Sequence, residues 1–97
     1  MKLHPDESEL RGAWRGVGER VEADAVTRRI EGLVQRYLVR VTSDVSGWDV
    51  LYRDPEDGRL WELTYPHSDA EGGGPPHLVR LDYSAARLKY GDTVDEG

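Results

Sequence analysis

Residues 48–65 constrain the fold more than any other stretch. They run Trp48-Asp49-Val50-Leu51-Tyr52-Arg53, then Asp54-Pro55-Glu56-Asp57-Gly58-Arg59, then Leu60-Trp61-Glu62-Leu63-Thr64-Tyr65. In the first arm Trp48, Val50 and Tyr52 alternate with Asp49, Leu51 and Arg53. In the second, Trp61, Leu63 and Tyr65 alternate with Leu60, Glu62 and Thr64. A period of two in aromatic and branched residues marks a strand with one buried face. Pro55 presets φ for a turn, and Gly58 can take the left-handed conformation that closes it. With Pro55–Gly58 as the loop, Asp54 faces the opposite charge of Arg59. Tyr52 then faces Trp61, Val50 faces Leu63, and Trp48 faces Tyr65. All six large residues share one face, and a slip of one residue would turn one arm's set the wrong way. Cross-strand pairs of this kind contribute roughly 0.2–1 kcal/mol each.

A chain of 97 residues without Phe or Cys must build its aromatic core from three Trp and five Tyr. That length predicts one domain, 1–97, with a modest core. Absence of Cys removes disulfides and thiol catalysis and suits a reducing compartment. Met1 to Glu7 has no apolar core of the kind a signal peptide needs, and no apolar run reaches membrane-spanning length. The expectation is a cytoplasmic protein with no membrane contact.

The net charge of −6 is unevenly placed: residues 44–71 hold eight acids against two Arg, a balance equal to that of the whole chain. Such a surface repels nucleic acid and attracts a basic protein. The bland alternative is that these acids only keep the hairpin soluble.

Taken in order, residues 1–9 read as a loose arm. Short strands are expected near Ala13-Trp14 and Arg20-Val21, separated by glycines. Asp24 is a good N-cap. After it Val26, Ile30, Leu33, Val34, Tyr37, Leu38 and Val41 fall on one stripe at about 100° per residue, which predicts an amphipathic helix over 24–42. Leu38 to Thr42 also reads as a strand, but Val41 still lands on the helical stripe. His67 to Pro76 is polar and then glycine-rich, and resists regular structure. His77 to Tyr83 alternates again, with Val79, Leu81 and Tyr83 inward. Ser84 can cap a short helix over 85–90 that Gly91 stops. The tail 92–97 has nothing to bury. The resulting fold class is α+β, a small antiparallel β-sheet packed on one long amphipathic helix, with a short C-terminal helix.

Catalytic equipment is hard to find. Asp54, Asp57 and Glu62 could in principle hold Mg²⁺, but the lysine that a metal nuclease would need beside them is Thr64. His67, Asp69, Glu71 and His77 have ligand chemistry without a recognised spacing, and a glycine-rich loop is a poor scaffold for fixed coordination. Gly72-Gly73-Gly74 is followed by Pro75-Pro76 rather than by a helix start and Lys, so it is no phosphate cradle. No Ser sits in a nucleophile elbow or a Ser-x-x-Lys. The expectation is a non-enzyme with no metal and no cofactor; a metal-dependent hydrolase built on the 67–77 loop is the weakest alternative. On the outer hairpin face Leu51 and Leu60 lie among Asp49, Arg53 and Glu62. They read either as a binding patch with an apolar centre and charged rim, or as residues that another element covers.

Leu51 to Pro66, followed by Gly72-Gly73-Gly74-Pro75-Pro76, resembles the signature of immunity protein family 27 from bacterial polymorphic toxin systems. The likeness extends from about Gly12-Ala13-Trp14 through Arg29-Ile30-Glu31 to Lys89-Tyr90-Gly91. It implies a small α+β protein that binds and neutralises a toxin made by the same cell, without catalysis. A basic nuclease would be a suitable partner for so acidic a surface. Charge and exposure then nominate Asp54, Glu56, Asp57, Glu62, Asp69 and Glu71 as charge contacts, with Leu51 and Leu60 as apolar anchors. A regulator or adaptor that binds another cellular protein is the runner-up.

Overall fold

The computed structural model describes residues 2–17, 20–66 and 74–95, with the backbone alone for 14–17 and 20–23. Strand β1 (Glu9–Arg11) is followed by β2 (Trp14–Val17), β3 (Arg20–Ala23) and helix α1 (Ala25–Arg36). Then come β4 (Val39–Ser43), β5 (Val50–Arg53), β6 (Leu60–Thr64) and β7 (His77–Leu81). Helix α2 (Tyr83–Tyr90) runs into a 3-10 helix at Gly91–Asp95. The main sheet has five antiparallel strands in the order β1-β7-β6-β5-β4, and β2 and β3 pair by themselves. The fold is α+β, as the sequence predicts.

The hairpin has the expected register. Tyr52 lies opposite Trp61, and Val50 opposite Leu63. Trp61 is completely buried. It joins Leu63, Leu78, Leu10 and Leu3 against Ile30 and Leu33 of α1, with Tyr52 packed alongside. Asp24 caps α1 by accepting the Thr27 N–H at 2.7 Å. At the helix start Gly12 lets β1 come close, because a Cβ there would collide with the Thr27 hydroxyl and lie 2.8 Å from the Pro76 carbonyl oxygen.

The opposite face of the sheet is covered too. Leu51 and Leu60 pack with Ala86, Tyr90 and Val94, and with the partly buried Val41 and Leu81. Strand alternation separates the two cores: Leu60 and Trp61 are neighbours in sequence and point to opposite sides. Fully burying one such side chain contributes about 1.5–3 kcal/mol.

Several expectations need correction. Helix α1 spans twelve residues, not 24–42, and Val39–Ser43 is an edge strand. The Tyr37 and Leu38 N–H groups both donate to the Leu33 carbonyl, at 3.0 and 2.7 Å, and end the helix. Val41, which fits the helical stripe, is instead spent on the α2 side. In β7 it is Leu78 that faces α1, whereas Leu81 packs towards α2. Asp82 rather than Ser84 caps α2, accepting the Ala85 N–H at 2.7 Å. The described residues of the arm and tail are packed: Leu3 is 7 % exposed and Val94 is 3 % exposed. Arg29 fixes the arm through Glu7 at 2.6 Å, and Arg59 donates to the carbonyls of His4, Pro5 and Glu7. Among the described residues no helix is long and apolar enough to cross a membrane.

Candidate protein-binding surface

The hairpin turn is built around Asp54. Its N–H donates to the Arg59 carbonyl at 2.8 Å, and its carbonyl accepts from Gly58 at 2.9 Å, with Gly58 at φ 80°. One carboxylate oxygen of Asp54 accepts the Glu56 N–H at 2.8 Å and the Tyr37 hydroxyl at 2.5 Å. The other lies 3.8 Å from the Arg59 guanidinium. The bond to Asp54 holds the Tyr37 phenol well above its usual range. Asp54 is 1 % exposed. It therefore holds the turn together and presents no charge to a partner.

The other nominated residues divide. Glu56 and Asp57 are exposed. Glu56 lies 3.1 Å from Lys2, and Asp57 2.6 Å from Arg59. Burial alone would raise the Asp57 carboxyl, but its bonds to Arg59 leave it below the usual carboxylate range. Glu62, Leu51 and Leu60 are buried beneath α2 and the 3-10 helix. The patch expected from Leu51 and Leu60 is thus an interior surface, because another element covers it. Glu62 accepts the Tyr90 hydroxyl at 2.6 Å and lies 2.6 Å from Lys89 Nζ. Lys89 also donates to Asp49 at 2.7 Å. Burial lowers the tendency of Lys89 to stay protonated, yet its two carboxylates outweigh that and raise its pKa. Burial, then the bond to Glu62, pushes the Tyr90 phenol up. Asp69 and Glu71 lie outside the described residues.

A groove of about 500 Å³ opens beside the turn, lined by Leu60, Leu81 and Val94 with Arg53, Asp57 and Asp95 among its polar groups. Asp95 of this lining pairs with Arg87, which also pairs with Asp92 at 2.7 Å. Among the described residues no three His, Cys, Asp or Glu side chains gather as a metal site requires. His77 Nε2 lies 3.3 Å from Glu9. His67 lies outside the described residues, with Asp69 and Glu71.

At the other end of the hairpin, the sequence misses an exposed aromatic. Trp48 does meet Tyr65, edge to face with centroids 6.1 Å apart. Trp48 is nevertheless 58 % exposed, and Val45 three residues earlier is fully exposed. The β5 ladder begins only at Val50, so alternation does not reach Trp48. Gly47 just before it is the signal that the strand has not yet begun.

Compared with known proteins, the chain matches the family model described as Immunity protein 27 over residues 17–82. No curated protein and no solved structure matches it.

Proposed function

Because this chain belongs to the immunity protein 27 family, we propose that it binds one cognate toxin domain of a polymorphic toxin system and neutralises it in the cytoplasm without catalysis. The family match is the observation that carries this reading. The acid excess of residues 44–71 supports a basic partner. A nuclease whose cleft normally holds phosphates is the toxin class that such a surface fits. Exposed Glu56 and Asp57, together with Asp69 and Glu71, supply the charge contacts. Their pairing with Lys2 and Arg59 does not cancel the field of a chain at −6, which acts on encounter at longer range.

The test is co-expression with the toxin domain encoded beside this chain's gene. Restored growth and co-purification are expected. A toxin that neither binds this chain nor loses activity in its presence overturns the proposal. Reversing Glu56 to Lys should slow association and flatten its salt dependence; an unchanged on-rate removes the turn from the interface.

A further inference from the structure

Burial of Leu51 and Leu60 leaves the toxin-binding reading without its apolar anchors. We propose that the β4–β5 loop supplies them: Trp48 and Val45 insert into an apolar pocket of the toxin domain that is rimmed by basic side chains. This rests on the toxin-binding reading above and names its central contact.

The loop is built to display these residues. Asp44 folds it from within, because one carboxylate oxygen accepts the Ser46 hydroxyl at 2.7 Å and the Gly47 N–H at 2.9 Å. The Ser46 hydroxyl oxygen accepts the Trp48 N–H at 3.1 Å. The Asp44 N–H donates to the Asp49 carbonyl at 3.0 Å and closes the loop, and Gly47 takes φ 79°, which a side chain would resist. The Tyr65 ring packs edge to face with the Trp48 ring, and Trp48 stays more than half exposed. A large ring held in place before binding loses little freedom on association, which is the character of an interface hot spot.

The surroundings select the partner's charge. Residues 41–52 carry Asp44 and Asp49 and no Lys or Arg. Lys89 reaches this end, but it is held between Asp49 and Glu62. An apolar centre flanked by Asp44 and Asp49 fits a basic rim around an apolar pocket. Addition of a strand along the outer β4 edge is a poorer use of this end, since the ladder shifts register between Arg40 and Thr42 and such bulges hinder pairing.

The experiment measures binding of the inactivated toxin domain from the adjacent gene to wild type, Trp48→Ala and Val45→Asp. Wild type should bind, and each variant should lose affinity by about tenfold or more, mainly through faster dissociation. Val45 has no packing to lose, so Val45→Asp decides the matter if Trp48→Ala does not fold. Binding by wild type with both variants within about threefold of it would overturn the anchor while leaving the immunity reading intact. No binding by wild type would overturn the immunity reading itself.

Discussion

The two ends of the β5–β6 hairpin use polar and apolar residues in opposite ways. At the turn, Asp54 is sunk in the protein and Arg59 is drawn inward, over the Trp61 ring at 5.1 Å and onto the carbonyls of the N-terminal arm. The charges of Asp54 and Arg59 hold the fold there, while Glu56 and Asp57 stay exposed. At the β4–β5 loop the acid Asp44 also works locally, but what it holds outward is Trp48 and Val45. Carboxylates in a sequence are thus no guide to which end meets a partner. What each oxygen already accepts decides the matter, and at the turn the Asp54 oxygens are occupied.

The largest effect that separates the ends is on stability. Leu51→Ala should cost about 2–4 kcal/mol, because it removes a fully buried side chain from the α2-side core. Urea unfolding measures this. A stable Leu51→Ala that loses only toxin binding would return Leu51 to the surface and break the contrast. Asp54→Ala comes next, at about 2–3 kcal/mol, since the Glu56 N–H loses its acceptor and the Tyr37 hydroxyl keeps only its longer one, Glu56 at 3.3 Å. The same measurement checks it, and a change near zero would mean that the turn stands without its carboxylate.

How much of this was legible in the sequence follows from the range of the forces involved. The hairpin register could be read because alternation and turn chemistry are local and agree. Asp24 as a cap was legible for the same reason. The end of α1 was not: Val41 satisfies a helical stripe and a strand pattern at once, and only its packing on the α2 side resolves the two. The anchoring of the arm depends on Arg29 and Arg59 reaching residues far away in sequence, which no local pattern encodes. Leu51 and Leu60 had the pattern of a solvent-facing strand row. Nothing short of the fold could show that α2 and Val94 return to cover them. The family was legible only by resemblance, and the exposure of Trp48 and Val45 by neither route.

A smaller effect tests how firmly the arm is fastened to the turn end. The bond to Arg29 holds the Glu7 carboxyl down from 4.5 to about 2. A carboxyl depressed on folding stabilises the folded state above its unfolded pKa and loses that contribution as pH falls through the folded value. The Glu7–Arg29 contribution should therefore be complete at pH 7, wane below about pH 4.5, and be gone near pH 2. The pair is partly buried, so about 1–2 kcal/mol is the expected size after solvent screening. Melting temperatures of wild type and Glu7→Gln should differ at pH 7 and converge near pH 2; no gap at pH 7 would assign the arm's anchoring to Leu3 and Arg59 instead.

The smallest stability effect carries the sharpest contrast. Val45→Asp changes a residue fully open to solvent. Substitution at such a site usually moves stability by less than about 0.5 kcal/mol. In the free protein its melting curve should overlay that of wild type. Were Val45 part of the fold, unfolding would report it, as it must for Leu51. Were it idle surface, neither unfolding nor binding would change. Only an anchor for a partner predicts an unaltered melt together with faster release of the toxin domain, and that pairing of results separates the loop end from the turn end without disturbing either.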